Sequence, residues 1–214
     1  MIHDTQLVRD IAVEHPGATQ VFRRYKIDYC CNGARSLSEA AAARGVPLAD
    51  LRRALDGLQP SAAPAGAAPA ELIDHIVTRY HQVHLQEFPE AIRLARRVER
   101  VHQDHPLRPQ GLADHLAFMA DDLEAHQHKE EAVLFPMMLR GPSPMMRFPI
   151  ERMTAEHADV ADQLLHLAVL TTDFTPPQDA CTTWRALYAA CAKLDADLRE
   201  HMHLENNVLF PQFL

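Results

Sequence analysis

One motif occurs twice in this chain, and its repetition limits what the chain can fold into more than any other feature. The first copy begins at His126 and the second at His201, and both read H-x-H-x-E-x-x-V-L-F-P. In each copy a glutamate, Glu130 or Glu205, follows the first histidine by four residues. On an α-helix this spacing places the imidazole and the carboxylate on one face, about 6 Å apart along the axis. The repetition favours a metal centre built from two related halves.

The rest of the sequence favours helices. Only 6% of the residues are aromatic and only 7 are glycine, while 47% are hydrophobic. Four long helical patterns follow one another at about 71–104, 111–139, 149–171 and 178–214, and proline-rich turns separate them. This order predicts an all-α protein with an antiparallel four-helix bundle. Pro89 lies inside the first pattern and is expected to bend or break that helix.

Two further segments precede the bundle. Residues 1–58 predict a small helical domain, in which Ser36 and Glu39 form a capping box and Gly45 ends the helix that follows. Residues 59–70 read QPSAAPAGAAPA, which is typical of an extended linker. The predicted organisation is therefore 1–58, a linker at 59–70, and a bundle at 71–214.

Composition and charge exclude several kinds of protein. The net charge of -8 argues against binding to nucleic acid. The sequence has no apolar run long enough to span a bilayer, and its start lacks the features of a signal peptide, so we expect a cytoplasmic protein without membrane attachment. In that compartment the four cysteines are expected to be thiols. Cys181 and Cys191 fall in the fourth helical pattern, where they predict core residues.

The bundle limits which histidines can meet. Counting residues from the turns puts one histidine of each helix at a similar depth, together with the two motif glutamates. The predicted metal ligands are His81, His126, Glu130, His157, His201 and Glu205. His128 and His203 lie on the far side of their helices and are expected to be solvated.

Other histidines stay open as ligands. His102 lies about 31 Å from His81 on an unbroken helix, and it reaches the centre only if the chain reverses at Phe88 and Pro89. The same objection applies to His105. His84 shares a face with His81 and remains an alternative.

The chemistry of the six ligands points to two metal ions. Four imidazoles and two carboxylates are too many for one zinc ion, which takes four ligands. Two histidines per ion, with Glu130 and Glu205 each bridging and one oxo or hydroxo bridge, leave an open position on each ion. Such shells suit iron, although dimanganese or a mixed-metal pair fits the same residue types. The shell contains no cysteine, which argues against an iron–sulfur cluster there.

A family resemblance joins these features. The C-terminal region resembles hemerythrin-like HHE domains. The whole chain, from the turn Asp28-Tyr29-Cys30-Cys31 to the second motif copy, resembles the bacterial Repair of Iron Centres family of di-iron proteins. Asn32 departs from the glycine that the family usually has, and asparagine tolerates the same turn geometry.

The resemblance implies a function: repair of iron–sulfur clusters after nitrosative or oxidative damage, by donation of iron. It implies two iron ions on the six ligands above, an acidic channel mouth at Asp122 and Glu156, and damaged iron–sulfur proteins or an assembly scaffold as clients. Cys30 and Cys31 suggest a redox or nitric oxide role, against the alternative of small buried side chains. Nitric oxide reduction, or sensing and carrying of nitric oxide or oxygen, remains the alternative function. The chain is expected to be a monomer or a homodimer.

Overall fold

Short helices form the N-terminal region in the computed structural model, which describes residues 2–15, 17–56, 58 and 67–214. They are α1 (Val8–Glu14), α2 (Ala18–Arg24), α3 (Leu37–Ala43) and α4 (Leu48–Leu55). The predicted capping box is present, because the Ser36 side chain accepts a hydrogen bond from the Glu39 N–H and the Glu39 carboxylate accepts one from the Ser36 N–H. Gly45, at φ 64°, ends this helix as predicted.

Four long rods follow and pack as a bundle, which confirms the predicted fold class. Rod 1 is α5 (Pro69–Ile76), a π-helical turn (Val77–His81) and α6 (Gln82–Val101). Rod 2 is α7 (Leu112–Lys129), a π-helical turn (Glu130–Leu134) and α8 (Phe135–Leu139). A 3₁₀ turn (Pro144–Met146) leads into rod 3, α9 (Arg147–Leu170). Rod 4 is α10 (Thr182–Leu204), a π-helical turn (Glu205–Leu209) and a 3₁₀ turn (Phe210–Phe213). Rods 1 and 3 each pack against rods 2 and 4.

The first predicted rod differs in two ways from the structure. It begins at Pro69, since proline suits the first turn of a helix. The predicted break at Pro89 was wrong, because α6 continues through this residue. Pro89 lies on an exposed side of the helix, where water can replace the one hydrogen bond that proline lacks.

The fourth rod begins later than predicted, at Thr182. The preceding residues form a turn in which the Ala180 N–H donates to the Pro177 carbonyl at 3.0 Å. The Arg185 guanidinium donates to the carbonyls of Pro177, Gln178 and Ala180. These bonds give three carbonyls and one N–H of the turn a partner without a helix.

Buried apolar side chains form two clusters with the motif residues between them. One cluster joins α1–α4 to the part of the bundle that contains Phe88, Leu116, Leu164 and Trp184. The other contains Ile76, Leu134, Met153 and Leu209. On each rod the predicted ligands fall between members of the two clusters. The predicted ligands therefore form a polar layer across an apolar bundle.

The predicted division into two domains stays a prediction. Residues 59–66 of the predicted linker lie outside the described residues. The N-terminal helices share an apolar cluster with the bundle, so the two units are packed against each other. Among the described helices, none combines the length and apolar character needed to cross a membrane.

Candidate metal centre

The structure brings together the six side chains that the sequence singled out. They form two overlapping groups, and the possible ligand atoms within each group all lie within 4.8 Å of one another. Half-site A contains His81 and His201, half-site B contains His126 and His157, and both half-sites share Glu130 and Glu205. All six side chains are buried. Their role as metal ligands stays a prediction, which this grouping supports.

The imidazoles face each other in pairs. In half-site A, Nε2 of His81 lies 3.1 Å from Nε2 of His201. In half-site B, Nε2 of His157 lies 3.1 Å from Nε2 of His126. All four Nε2 atoms therefore point inward, which leaves the Nδ1 atoms for partners outside the centre.

Each glutamate reaches both half-sites. The oxygens of Glu205 lie 3.1 Å from Nε2 of His157 and 3.1 Å from Nε2 of His201. Glu130 repeats this arrangement, at 3.3 and 3.5 Å from its two histidines. A carboxylate between two such groups is placed to bridge two cations.

The donor set fits a pair of cations. All four carboxylate oxygens of Glu130 and Glu205 are buried without a hydrogen-bond partner among the described residues. Buried carboxylates need a compensating partner, because their desolvation is expensive. Two cations that share both carboxylates would satisfy these oxygens and the four inward-facing nitrogens together. Imidazole and carboxylate are ligands that suit iron.

Protons compensate the same charges when metal is absent. Burial opposes protonation of His126, but Glu130, Glu205 and Glu156 outweigh it and raise the pKa of His126 to about 9. Burial likewise disfavours the charged form of Glu205, yet His201 and His157 hold the pKa of that carboxyl well below its ordinary value. Metal binding here therefore has to displace protons, as in other histidine sites.

Each motif copy supplies an outer partner that the sequence interpretation missed. The residue after the motif glutamate is Glu131 in the first copy and Asn206 in the second. The His81 Nδ1–H donates to Glu131 at 2.7 Å, and the His157 Nδ1–H donates to Oδ1 of Asn206 at 2.8 Å. Such bonds fix the tautomer and orientation of a ligating imidazole. The repeated position in the motif was the signal that could have revealed them.

The phenylalanine of the V-L-F-P tail also has a role at the centre. Phe135 stacks on His81 with ring centroids 5.9 Å apart, and Phe210 stacks on His157 at 6.0 Å. Each copy therefore orients one histidine of another rod, with a hydrogen bond and an aromatic face. The repeated phenylalanine therefore lies against a candidate ligand in both copies.

The two predicted channel residues have different environments. Glu156 accepts hydrogen bonds from His126, Lys129 and Arg152 at 2.9, 2.8 and 2.7 Å. These donors outweigh partial burial and lower its pKa to about 2, so Glu156 is a fixed anion that orients His126. Asp122 is exposed and accepts a bond from Gln163. A channel at these residues stays a prediction.

The cysteine turn packs against half-site B. Cys31 Sγ lies 3.6 Å from the His157 carbonyl oxygen, and the Asn206 side chain donates to the Cys30 carbonyl at 3.0 Å. Asp28 joins the two thiols in a third group whose possible metal-ligand atoms lie within 4.8 Å. The hydrogen bond with Cys31 and burial raise the pKa of Cys30 well above its ordinary value.

Two neighbours shape this turn. A side chain at Gly33 would place its Cβ 2.6 Å from the Tyr29 carbonyl oxygen, so the turn requires glycine there. Asn32 is absent from the positive-φ residues, and its side chain instead donates to Asp28 at 2.7 Å. Asparagine therefore fits this turn without a positive φ, in line with the expectation that it tolerates the turn geometry.

The structure also shows where four other side chains lie relative to the predictions. His203 is buried rather than solvated, because its ring lies 5.4 Å from that of Tyr29 and its Nδ1 accepts a bond from Asn207. His84 is buried beside His201 but belongs to neither half-site. Cys191 is buried as expected, whereas Cys181 is exposed because it precedes α10 instead of lying within it.

We expect the metal-free protein to lose stability in mild acid. Burial lowers the pKa of His203 to about 4 and that of His84 to about 3, from 6.5. The unfolded chain binds these protons at ordinary pKa values. The contribution of the two neutral histidines to the free energy of unfolding is therefore fully present above pH 6.5 and is lost as the pH drops towards 4. Between pH 6.5 and 5 each histidine should remove about 2 kcal/mol from the free energy of unfolding.

Urea denaturation at the two pH values measures this loss. The variant His203→Gln keeps a polar side chain that does not titrate, so it should lose about 2 kcal/mol less than the parent over the same interval. Equal losses in the two proteins would contradict the assignment to His203.

Comparison with known proteins agrees with the site. The family Hemerythrin HHE cation binding domain matches residues 72–213, and a Domain of Unknown function (DUF542) matches residues 4–59. The Iron-sulfur cluster repair protein YtfE of Musicola paradisiaca is 44% identical over 209 residues, which cover 96% of this chain and 94% of the relative. The proteins of that name from Dickeya chrysanthemi and Escherichia coli O8 are 44% and 41% identical, and each alignment covers 100% of this chain and 99% of the relative.

These matches confirm the resemblance to the Repair of Iron Centres family. The domain match also agrees with a buried cation site made of two overlapping histidine and glutamate groups. The chain therefore belongs to the family of iron–sulfur cluster repair proteins, and its C-terminal part is a hemerythrin HHE cation-binding domain.

Proposed function

We propose that this protein repairs damaged iron–sulfur clusters by holding two iron ions and donating iron to client proteins. The names of the relatives support the repair role. The observation that carries the proposal is the contact between half-site B and a thiol pair, Cys30 and Cys31. Two iron ions, held by the four histidines and two glutamates, would supply both the exchangeable metal and open coordination positions.

The chain's own residues give half-site B a way to release metal. Asn206 contacts the ligand His157 with its carbonyl oxygen and the cysteine turn with its amide nitrogen. A movement of the turn is therefore transmitted to the orientation of His157. His126 can take a proton in exchange, because Glu156 and the motif glutamates favour its charged form.

The thiol pair is placed to receive what half-site B releases. Asp28, Cys30 and Cys31 offer one carboxylate and two sulfurs close together, and iron would displace the thiol protons as it binds there. Half-site A lacks such a neighbour among the described contacts and is expected to hold its ion longer. Donation of iron from half-site B by way of the cysteine turn is the mechanism that we propose.

A competition assay tests donation. The iron-loaded protein is incubated anaerobically with an apo-ferredoxin, cysteine and a cysteine desulfurase, with an excess of a ferrous chelator. We expect the ferredoxin cluster, followed by its visible absorbance, to form several-fold faster than with an equal amount of free ferrous iron. The reason is that iron passed directly between proteins is protected from the chelator.

A cysteine variant serves as the control for the route. Cys31→Ser should retain the iron load, since Cys31 belongs to neither half-site, but should donate several-fold more slowly. Direct donation would be refuted if the chelator slows cluster formation as much with the iron-loaded protein as with free ferrous iron. Release of nitrous oxide in stoichiometric amount from nitric oxide, without cluster formation, would favour the alternative of nitric oxide reduction.

A further inference from the structure

A cysteine and a histidine pair at a place remote from the metal centre. Cys181 Sγ lies 3.2 Å from Nε2 of His102, at the end of α6 that lies 21 positions after His81 in the chain. Cys181 is exposed, Cys31 is partly buried, and Cys30 and Cys191 are buried. The most accessible thiol of the described chain is therefore in contact with an imidazole.

Two helix ends meet at this pair. Cys181 is the N-cap residue of α10, and its side chain makes no capping bond. His102 is the C-cap residue of α6. Helix dipoles favour negative charge at an N-terminus and positive charge at a C-terminus. A thiolate at Cys181 and an imidazolium at His102 thus each occupy the favourable end of a long helix.

The histidine is held in place by its surroundings. Its ring packs on the fully buried Trp184 at a centroid distance of 4.9 Å. His105 packs on another edge of Trp184 at 5.0 Å, and its Nε2 lies 3.2 Å from Asp179. His102 is therefore oriented towards Cys181 by packing, while His105 is engaged elsewhere.

A cleft opens beside the thiol. Its volume is about 360 Å³, which is within the usual range for small-molecule pockets. The wall includes Val98 and Val101, which are apolar, Thr182 and Thr183, which are polar, and Arg97, whose positive charge suits a carboxylate. A small molecule with an apolar middle and an acidic group would match these walls.

We propose that Cys181 is a modification site that undergoes thiol–disulfide exchange with small disulfides that carry carboxylates. The Cys181 thiolate attacks one sulfur of the disulfide, a new S–S bond forms to Cys181, and the original S–S bond breaks. The departing sulfur takes the electron pair of the broken bond and leaves as a thiolate. Cys181 is oxidised and the departing sulfur is reduced, so no further oxidant is needed. His102 Nε2, 3.2 Å from Cys181 Sγ, is placed to accept the thiol proton during the attack and to pass it to the leaving group.

Glutathione disulfide is the probe for this reaction, used on the full-length protein as purified. Mass spectrometry of the intact chain, followed by peptide mapping, should show one adduct, located at Cys181. Cys181→Ser should form none at that position, and Cys191→Ser should react like the parent. His102→Gln should slow the reaction about tenfold or more, because glutamine cannot accept the thiol proton as the sulfur attacks.

Matched variants separate activation from folding. His105→Gln alters the other histidine on Trp184 and should react at the parent rate. Arg97→Gln should slow the reaction with glutathione disulfide but not with the neutral hydroxyethyl disulfide. An adduct that forms first on Cys31, or a His102→Gln rate equal to that of the parent, would overturn the proposal.

Discussion

The double variant Glu130→Ala, Glu205→Ala is expected to bind neither metal ion. Both glutamates belong to both half-sites, and all four of their oxygens are buried without other partners among the described residues. Their removal would leave only two imidazoles in each half-site and no carboxylate that both half-sites share. The iron content of protein purified with iron in the medium, measured by elemental analysis, should fall from about two ions per chain to none. Two ligands are too few to retain a divalent ion.

A surface glutamate supplies the control for this loss. Glu151 is exposed on α9 and pairs with Arg147, so Glu151→Ala should keep the full metal load. The loaded parent should also unfold at a higher temperature than the double variant, since a ligand at a thousand times its Kd adds about 4 kcal/mol. A double variant that retains two ions would disprove the site, and a parent with a single ion would disprove its dinuclear character.

Tyr29→Ala is expected to destabilise the protein by about 3–5 kcal/mol, the range for removal of a large buried side chain. Tyr29 is fully buried, between Phe22 of α2 and His203 of α10. Its hydroxyl donates to Glu200 and accepts from Arg23. One aromatic ring thus joins the N-terminal helices to rod 4, and its loss opens a cavity at their contact.

Denaturation of the metal-free proteins in urea measures this effect without the contribution of bound ions. Tyr29→Phe keeps the ring and removes only the hydroxyl, so it should cost about 1 kcal/mol. Tyr29 belongs to neither half-site, and its alanine variant should therefore still bind two ions. A loss below 1 kcal/mol for Tyr29→Ala would mean that the N-terminal helices do not depend on this contact.

The candidate ligands were predictable because their chemistry is written in the spacing of residues. A histidine and a glutamate that are four residues apart share a helix face. The depth of each histidine along its rod follows from the rise per residue. The same rise excluded His102 as a metal ligand, on the condition that the chain does not reverse at Pro89. The helix is continuous through Pro89, so the condition holds. The four-rod fold was predictable from the long periodic patterns.

The partners of these ligands were harder to predict because they come from other rods. Glu131 orients His81 of rod 1, and Asn206 orients His157 of rod 3. Neither pairing follows from local spacing, since it depends on how rods rotate about their axes when they pack. His203 was misjudged for a similar reason: the face of rod 4 that it occupies is covered by Tyr29 of the N-terminal region.

The π-helical turns have a mechanical consequence for the centre. Each of the three contains a candidate ligand at one end: His81 closes the first, and Glu130 and Glu205 open the others. A π turn accommodates one extra residue in a helix, and one residue corresponds to about 100° of rotation. The apolar tail of each motif is thereby rotated about the helix axis relative to the helix before it. In each of these rods, a single additional residue therefore fixes the angle between the face that carries the candidate ligand and the face that packs into the apolar cluster.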